Sequence, residues 1–373
     1  MSNRAARIGL DLRLHAYAPG GISRYARRLA RALAELDLPE KLVLISHRKD
    51  PDTMELPGAR TWKSWTPPHH RAERWLLGTE LAPLGLDLLH TTDFIPPAWG
   101  TRRRVITVHD LNFLHYPDYL TADARRYYNG QIAWAVHEAD AILVDSHATQ
   151  RDLQALLGVA PERVVVAHLA ADEQFRTLPE DEIQPVLSQY GLQAGYLLFV
   201  GVWEPRKNLP GLLEALSLLH GRGLMLHLVI AGRPGWLYDE VHARIGALGL
   251  APWVHFVENP GMDELVALYN GALLLAMPSF YEGFGLPALE AMQCGTPAVV
   301  ADRASLPEVV AGAGLLVHPD DPVSIADACA RIAEDPVLHQ SLRDAGRARA
   351  ATFSWRKTAE TTLGVYRAVL SDR

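Results

Sequence analysis

Short apolar runs alternate with longer amphipathic stretches along the whole chain. In the first half, continuous apolar runs at 7–12, 86–90, 104–109, 141–144 and 164–167 predict buried parallel strands. An amphipathic helix between the first two runs reaches about Leu36, with Ile22, Leu29, Leu33 and Leu36 on one face and Arg24, Arg27, Arg28 and Arg31 on the other; Ser23 is placed to cap it. A second helix covers 128–139. In the second half, strands are predicted at 196–200, 226–231, 254–257, 272–276 and 314–317, and helices at 209–220, 262–270, 286–294, 306–310, 324–333 and 337–351, with a last one ending near Leu370. Strand–helix alternation twice over predicts an α/β protein with two Rossmann-like, doubly wound parallel sheets. The segment 172–189 loses periodicity and gains charge, with prolines at Pro179 and Pro185, so it reads as a linker. The expected division is 1–175, a linker at 176–190, and 191–354.

One stretch, 277–300, carries the most chemistry. The apolar run before it suits a buried strand, and the loop Glu282-Gly283-Phe284-Gly285 leads into a short helix with Pro287 in its first turn and Gly295 just past its end. The glycines let backbone approach a ligand closely, and the amides at the helix start present positive partial charge, which together suit a phosphate. Glu282 and Glu290 flank that site. Carboxylates repel phosphate, so they are better suited to hydroxyls on either side of a phosphate bridge, as in a nucleotide sugar. Taken alone, the same residues also fit a solvated turn and an exposed helix position.

Composition narrows the alternatives. The chain has 373 residues, a net charge of −7 and 49% hydrophobic residues, enough for two separate cores and short of the basic surface that nucleic acid requires. Two cysteines, Cys294 and Cys329, do not make a disulfide framework. No run of apolar residues is long enough to span a bilayer, and the amino terminus enters a strand without a secretory h-region; a cytoplasmic location is expected. The arginine face of the first helix reads either as a solvated surface or as an anchor for an anionic membrane.

Glu282 and Glu290, separated by seven residues and joined through Gly-Phe-Gly-Leu-Pro, resemble the signature of retaining family 4 glycosyltransferases of the GT-B fold, a family that includes bacterial mannosyltransferases. The resemblance covers nearly the whole chain. It implies two facing Rossmann-like domains with a cleft between them, and a terminal segment, 355–373, that crosses back to the first domain. It implies that Gly20 and Gly21 approach the donor phosphates, that His109 touches the transferred sugar, and that Arg206 and Lys207 bind the diphosphate. It further implies that Val257 and Glu258 neighbour the nucleobase, and that Gly283, Phe284, Gly285, Leu286 and Glu290 hold the donor. Many members carry an arginine just after the glycine of the strand before Arg206; this chain has Val202, which puts one phosphate contact in doubt and makes Arg24 a substitute. Asp110 either orients its loop or meets the acceptor, and the aromatic, basic stretch containing Trp62, Trp65, His69, His70, Arg71, Arg74 and Trp75 is an acceptor-side candidate.

The expected reaction moves a hexosyl group from a nucleoside diphosphate, with GDP-mannose as the working donor, to a glycan or lipid-linked saccharide with retained configuration. No cofactor and no metal are expected: Asp50-Pro51-Asp52 lies in a polar turn region and reads as a solvated loop, and the Arg-Lys pair neutralises the leaving group. An epimerase or phosphorylase of the same fold, a small-molecule glycosyltransferase, and a noncatalytic sugar-nucleotide-binding subunit are the alternatives.

Overall fold

A computed structural model describes residues 4–17, 20–119, 122–235 and 238–372; Ala18 and Pro19 of the glycine-rich turn lie outside them. The chain divides into two compact units, 1–169 with 354–373, and 170–353.

In the first unit the strands are β1 (Arg7–Asp11), β2 (Lys41–His47), β3 (Arg60–Ser64), β4 (Leu86–Thr91), β5 (Thr101–Val108), β6 (Ala141–Val144) and β7 (Val164–Val166). They form, among the described residues, a seven-stranded parallel sheet in the order β3-β2-β1-β4-β5-β6-β7. Helices α1 (Gly21–Ala34), α2 (Glu73–Leu81), α3 (Asn112–His115), α4 (Ala122–Glu138) and α5 (His147–Leu157) connect them. Strand order reverses between β1 and β4, so the carboxyl ends of β1, β4 and β5 open together. Gly9 allows β1 to pack tightly: a Cβ there would lie 2.7 Å from Leu86 Cδ1.

The second unit holds α6 (Glu180–Gln189), β8 (Tyr196–Val202), α7 (Leu209–Gly221), β9 (Leu228–Arg233), α8 (Tyr238–Ala247), β10 (Val254–Glu258), α9 (Met262–Gly271) and β11 (Ala272–Met277). It continues with α10 (Leu286–Cys294), β12 (Ala298–Ala301), α11 (Leu306–Val310), β13 (Leu315–Val317), α12 (Pro322–Glu334) and α13 (Pro336–Ala350). Among the described residues its sheet has six parallel strands in the order β10-β9-β8-β11-β12-β13, with the reversal between β8 and β11. Leu197, Phe199, Leu212, Leu216, Ile230 and Leu274 form the centre of its core. Both cysteines are buried free thiols.

The last helix, α14 (Trp355–Ser371), belongs to the first unit. Ser354 caps it by accepting from Lys357 N, and Thr358 Oγ1 donates to His168 O at 2.6 Å. Tyr366 is fully buried, and its hydroxyl meets His90 Nδ1 at 2.6 Å.

Four local expectations are corrected. The segment 176–190 is not irregular: it contains α6, whose acidic first turn (Glu180, Asp181, Glu182) complements the helix dipole, while Leu187 is buried and Tyr190 donates to Glu264 at 2.7 Å. Ser23 is the third residue of α1 rather than its cap, and its hydroxyl accepts from Gly20 N at 2.8 Å. The stretch around Trp62 is not wholly irregular, because it contains edge strand β3 and the start of α2. Asp50 is buried and paired with His15 Nδ1 at 3.0 Å rather than solvated, whereas Pro51 and Asp52 are exposed as expected, with Asp52 pairing with Arg27 at 2.6 Å.

Candidate active site

The second unit places the signature loop against the basic pair. Because β8 and β11 are parallel neighbours, the loops leaving their carboxyl ends run side by side. Two hydrogen bonds to backbone carbonyls join them: Phe280 N donates to Arg206 O at 2.8 Å, and the Asn208 side chain donates through Nδ2 to Pro278 O at 3.1 Å. Asn208 sits in the left-handed region, at φ 57, and caps α7 through Gly211 N.

Glu282 lies between the two cations. Its Oε1 accepts from Lys207 Nζ at 2.6 Å and its Oε2 from Arg206 Nη1 at 2.9 Å. Arg206 also bonds Glu204 at 2.9 Å and Tyr281 O at 3.2 Å. Burial alone would raise the Glu282 carboxyl, but Lys207 and Arg206 bring it down to about 2. Lys207 has one carboxylate partner and a neighbouring guanidinium, so burial wins there and lowers its ammonium. The Lys207 stem crosses Gly201, where a Cβ would stand 3.3 Å from Lys207 Cε and φ is +149.

The loop beyond Glu282 is braced from below. Ser305 is fully buried, and its hydroxyl lies 2.8 Å from both Glu282 O and Phe284 O. Gly285 precedes α10 at φ 103, a conformation suited to glycine, and a Cβ there would stand 2.6 Å from Leu306 Cδ2. Leu286 then opens the helix and Ala288 N returns to Gly285 O. Gly283 is within this turn, and Phe284 packs edge-on against Phe353. Glu290 is on the same helix but in a different environment: it is buried, and Oε2 accepts from Tyr269 at 2.8 Å. Val257 is buried and Glu258 exposed at the end of β10.

In the first unit the strand ends gather a second polar group. His109 follows β5; its Nδ1 lies 2.7 Å from Asp145 Oδ2 and its Nε2 2.9 Å from Thr92 O. Burial opposes its protonation, but Asp145 outweighs that and brings the imidazole up to about 9. Asp110 accepts from Asn112 N at 3.0 Å and thereby orients the start of α3. His69, with φ 60, meets Asp93 Oδ2 at 2.5 Å; burial opposes and Asp93 favours its protonation, with a net upward shift. His70 and Arg71 are exposed, and His70 Nδ1 accepts from Ala72 N. Arg13 is buried between Asp11 and Glu73, 2.6 Å from each. Gly20 directs its amide to Ser23, while Gly21 starts α1 with open space at its Cβ position. Of the basic face, Arg31 is exposed and Arg24, Arg27 and Arg28 are half-buried.

Sequence reasoning missed Ser305, Tyr269, Thr92, Asp93 and Asp145. Asp145 did carry a signal, since it directly follows an apolar strand; the others became visible only through tertiary neighbours.

Residues 189–349 match the family described as "Glycosyl transferases group 1", and residues 19–175 match "Glycosyltransferase Family 4". The O-antigen chain mannosyltransferase B of Escherichia coli is 34% identical over 267 residues, covering 71% of this chain and 70% of that protein. The serotype-specific mannosyltransferase WbdA of Escherichia coli is 30% identical over 71% of this chain, which spans 33% of that longer protein. Among solved structures, sucrose-phosphate synthase from Thermosynechococcus elongatus superposes with a TM-score of 0.81 at 22% identity, covering 99% of this chain and 100% of that one. HepE of Anabaena, solved in complex with UDP-glucose, gives 0.75 at 18% identity, over 97% of this chain and 99% of that one. The fold is GT-B. The chain belongs to glycosyltransferase family 4, as the motif around Glu282 implied, and is a glycosyltransferase. No helix among the described residues is long and apolar enough to cross a membrane.

Proposed function

We propose that the protein transfers a hexosyl group, with mannose the first candidate, from a nucleoside diphosphate to a hydroxyl of a glycan or lipid-linked saccharide, retaining the anomeric configuration. The observation that carries this reading is the convergence of Arg206, Lys207 and Glu282 beside the glycine turn that opens α10. Two cations there are positioned to take the diphosphate, together with the turn amides from Gly283 to Leu286. The names of the Escherichia coli relatives support mannose and an O-antigen type of acceptor, and the HepE complex supports a nucleotide-sugar donor.

In the proposed step, the bond between the anomeric carbon and the β-phosphate oxygen breaks while the acceptor oxygen bonds to the same face of that carbon. The acceptor proton goes to the departing phosphate oxygen. Negative charge grows on the diphosphate, where Arg206 and Lys207 stabilise it. Glu282 holds those cations in place, contacts sugar hydroxyls and offsets positive charge on the ring. Glu290 binds the ribose, Val257 and Glu258 flank the base, and His109 positions the sugar. The phosphate contact that Val202 cannot make is assigned to Arg24. Asp110, His69, His70 and Arg71 are proposed to serve the acceptor. With two side-chain cations on the leaving group, the reaction is proposed to run without metal. Arg24, Arg27, Arg28 and Arg31 are proposed for peripheral contact with an anionic membrane at a cytoplasmic face; Arg27 also pairs with Asp52.

The test is a panel of nucleotide sugars read first by thermal shift, since a ligand of the folded state stabilises it according to concentration over Kd. The stabilising donor is then offered with mannosylated acceptors, in the presence and absence of EDTA, and the product's anomeric configuration is read by NMR. The reading fails if no nucleotide sugar stabilises the protein, or if the product is inverted. Nucleotide release without an acceptor would favour the epimerase or phosphorylase alternative.

A further inference from the structure

Asp145, a buried titratable group outside the donor loop, has a geometry that bears directly on His109. It directly follows β6, next to β5 in the sheet, and its carboxylate reaches His109 Nδ1 at 2.7 Å. The other ring nitrogen faces the carbonyl oxygen of Thr92 at 2.9 Å. A carbonyl can only accept a hydrogen bond, so Nε2 must carry a hydrogen. The Nδ1–Oδ2 bond holds a second proton, and the His-Asp pair as a whole is therefore neutral. The side chains are 14% and 5% exposed, so water competes little for either group. The ring is also held from the side, by the edge-on ring of Tyr25 at 4.8 Å. Tyr25 in turn meets Thr107 at 3.0 Å, which meets His90 at 2.7 Å.

With both nitrogens occupied, His109 has no lone pair with which to act as a base. We propose that Asp145 is a positioning residue for His109: it keeps the imidazole doubly protonated and fixes its plane, so that the ring serves the transferred sugar as a rigid, charge-compensated contact. This rests on the glycosyl-transfer reading. Other charged and titratable groups around the pair are Asp93, Asp110, His168, His90 and Tyr25; His90 stays neutral because burial lowers it to about 3. Asp145 is therefore the carboxylate in direct contact, with Asp93 acting from farther away.

Asp145→Asn separates charge from orientation, since the amide can still bond Nδ1 while the imidazole becomes neutral. The full-length protein, its Asn variant and Asp145→Glu are compared by histidine-selective NMR through a pH titration, with folding checked by circular dichroism. His109 is expected to titrate above its ordinary value in the parent and the Glu variant and below it in the Asn variant. Transfer kcat should fall about tenfold to a hundredfold in the Asn variant, while donor KM stays within about threefold. An unchanged His109 titration in Asp145→Asn overturns the proposal, and so does a shifted titration with parental kcat. Should Asp145→Asn not fold, His109 titrating at or below its ordinary value in Asp145→Glu overturns it as well. Failure of the transfer reading looks different: the parent then binds no nucleotide sugar, although the Asn variant still shifts the His109 titration.

Discussion

Lys207 and Glu282 are 75 residues apart in sequence and 2.6 Å apart in space, at the ends of two neighbouring strands. Their ion pair means that the cations of this loop are already compensated by a carboxylate from the neighbouring strand end. Glu282 is therefore a structural partner of both cations, and under the proposed reading an incoming diphosphate meets a site that is already ordered.

Lys207→Ala and Glu282→Ala are expected to lower kcat/KM by roughly 10²–10³-fold, the range for losing one preorganised electrostatic contact. Glu282→Ala should also be the less stable protein, because it leaves Arg206 and buried Lys207 without their shared carboxylate, a loss of about 3–5 kcal/mol for a broken buried pair. Steady-state kinetics and urea unfolding check the two parts; equal stability of Glu282→Ala and the parent contradicts the structural role.

Acid sensitivity follows from the same carboxylate. Its folded value of about 2 lies below its ordinary 4.5, so the stability it contributes is fully present above pH 4.5 and is lost as pH falls towards 2. Glu282→Gln should lack that part of the decline. Melting temperatures measured across this window for both proteins provide the comparison, and parallel curves would reject the assignment.

Ser305→Ala removes the hydroxyl shared by Glu282 O and Phe284 O. The expected loss is about 1–3 kcal/mol, the penalty for leaving buried polar groups without partners. A loosened turn should also raise donor KM more than it lowers kcat. Denaturant midpoints and kinetics measure both.

Gly201→Ala places a methyl group against the Lys207 stem at a φ that side chains rarely adopt. Strain of about 1–3 kcal/mol is expected, together with weaker donor binding as the ammonium is displaced. Thermal-shift titration with the donor is the readout; parental affinity would show that the stem has room to move.

Tyr366→Phe deletes the hydroxyl that meets His90 Nδ1 inside the first unit. A loss of about 1–3 kcal/mol should appear as a lower urea midpoint with an unchanged slope.

What could be read from residue order and what could not divides along physical lines. The alternation of apolar strands with helices gave two Rossmann-like sheets because backbone periodicity is a local property. The Glu282 loop was legible for a related reason, since glycines, a proline and two acids at fixed spacing sit within one turn and one helix. Helix α6 reads as a linker because of its acids and prolines, although acids in a first turn suit a helix dipole. Strand β2 carries a signal in its apolar run Leu42, Val43, Leu44 and Ile45, whereas edge strand β3, Arg-Thr-Trp-Lys-Ser, is too polar to announce itself. Ser305 under the loop and Asp145 beside His109 depend on which strands lie next to each other, and sequence spacing contains little of that.

Helix α14 completes the first unit from the far end of the chain, with Tyr366 seated against His90. During synthesis the last helix of the first unit is therefore made only after every residue of the second. The second unit, being contiguous, has all its parts earlier and is free to close first. A chain cut short before Tyr366 would carry every residue of the second unit but lack the Tyr366–His90 contact of the first.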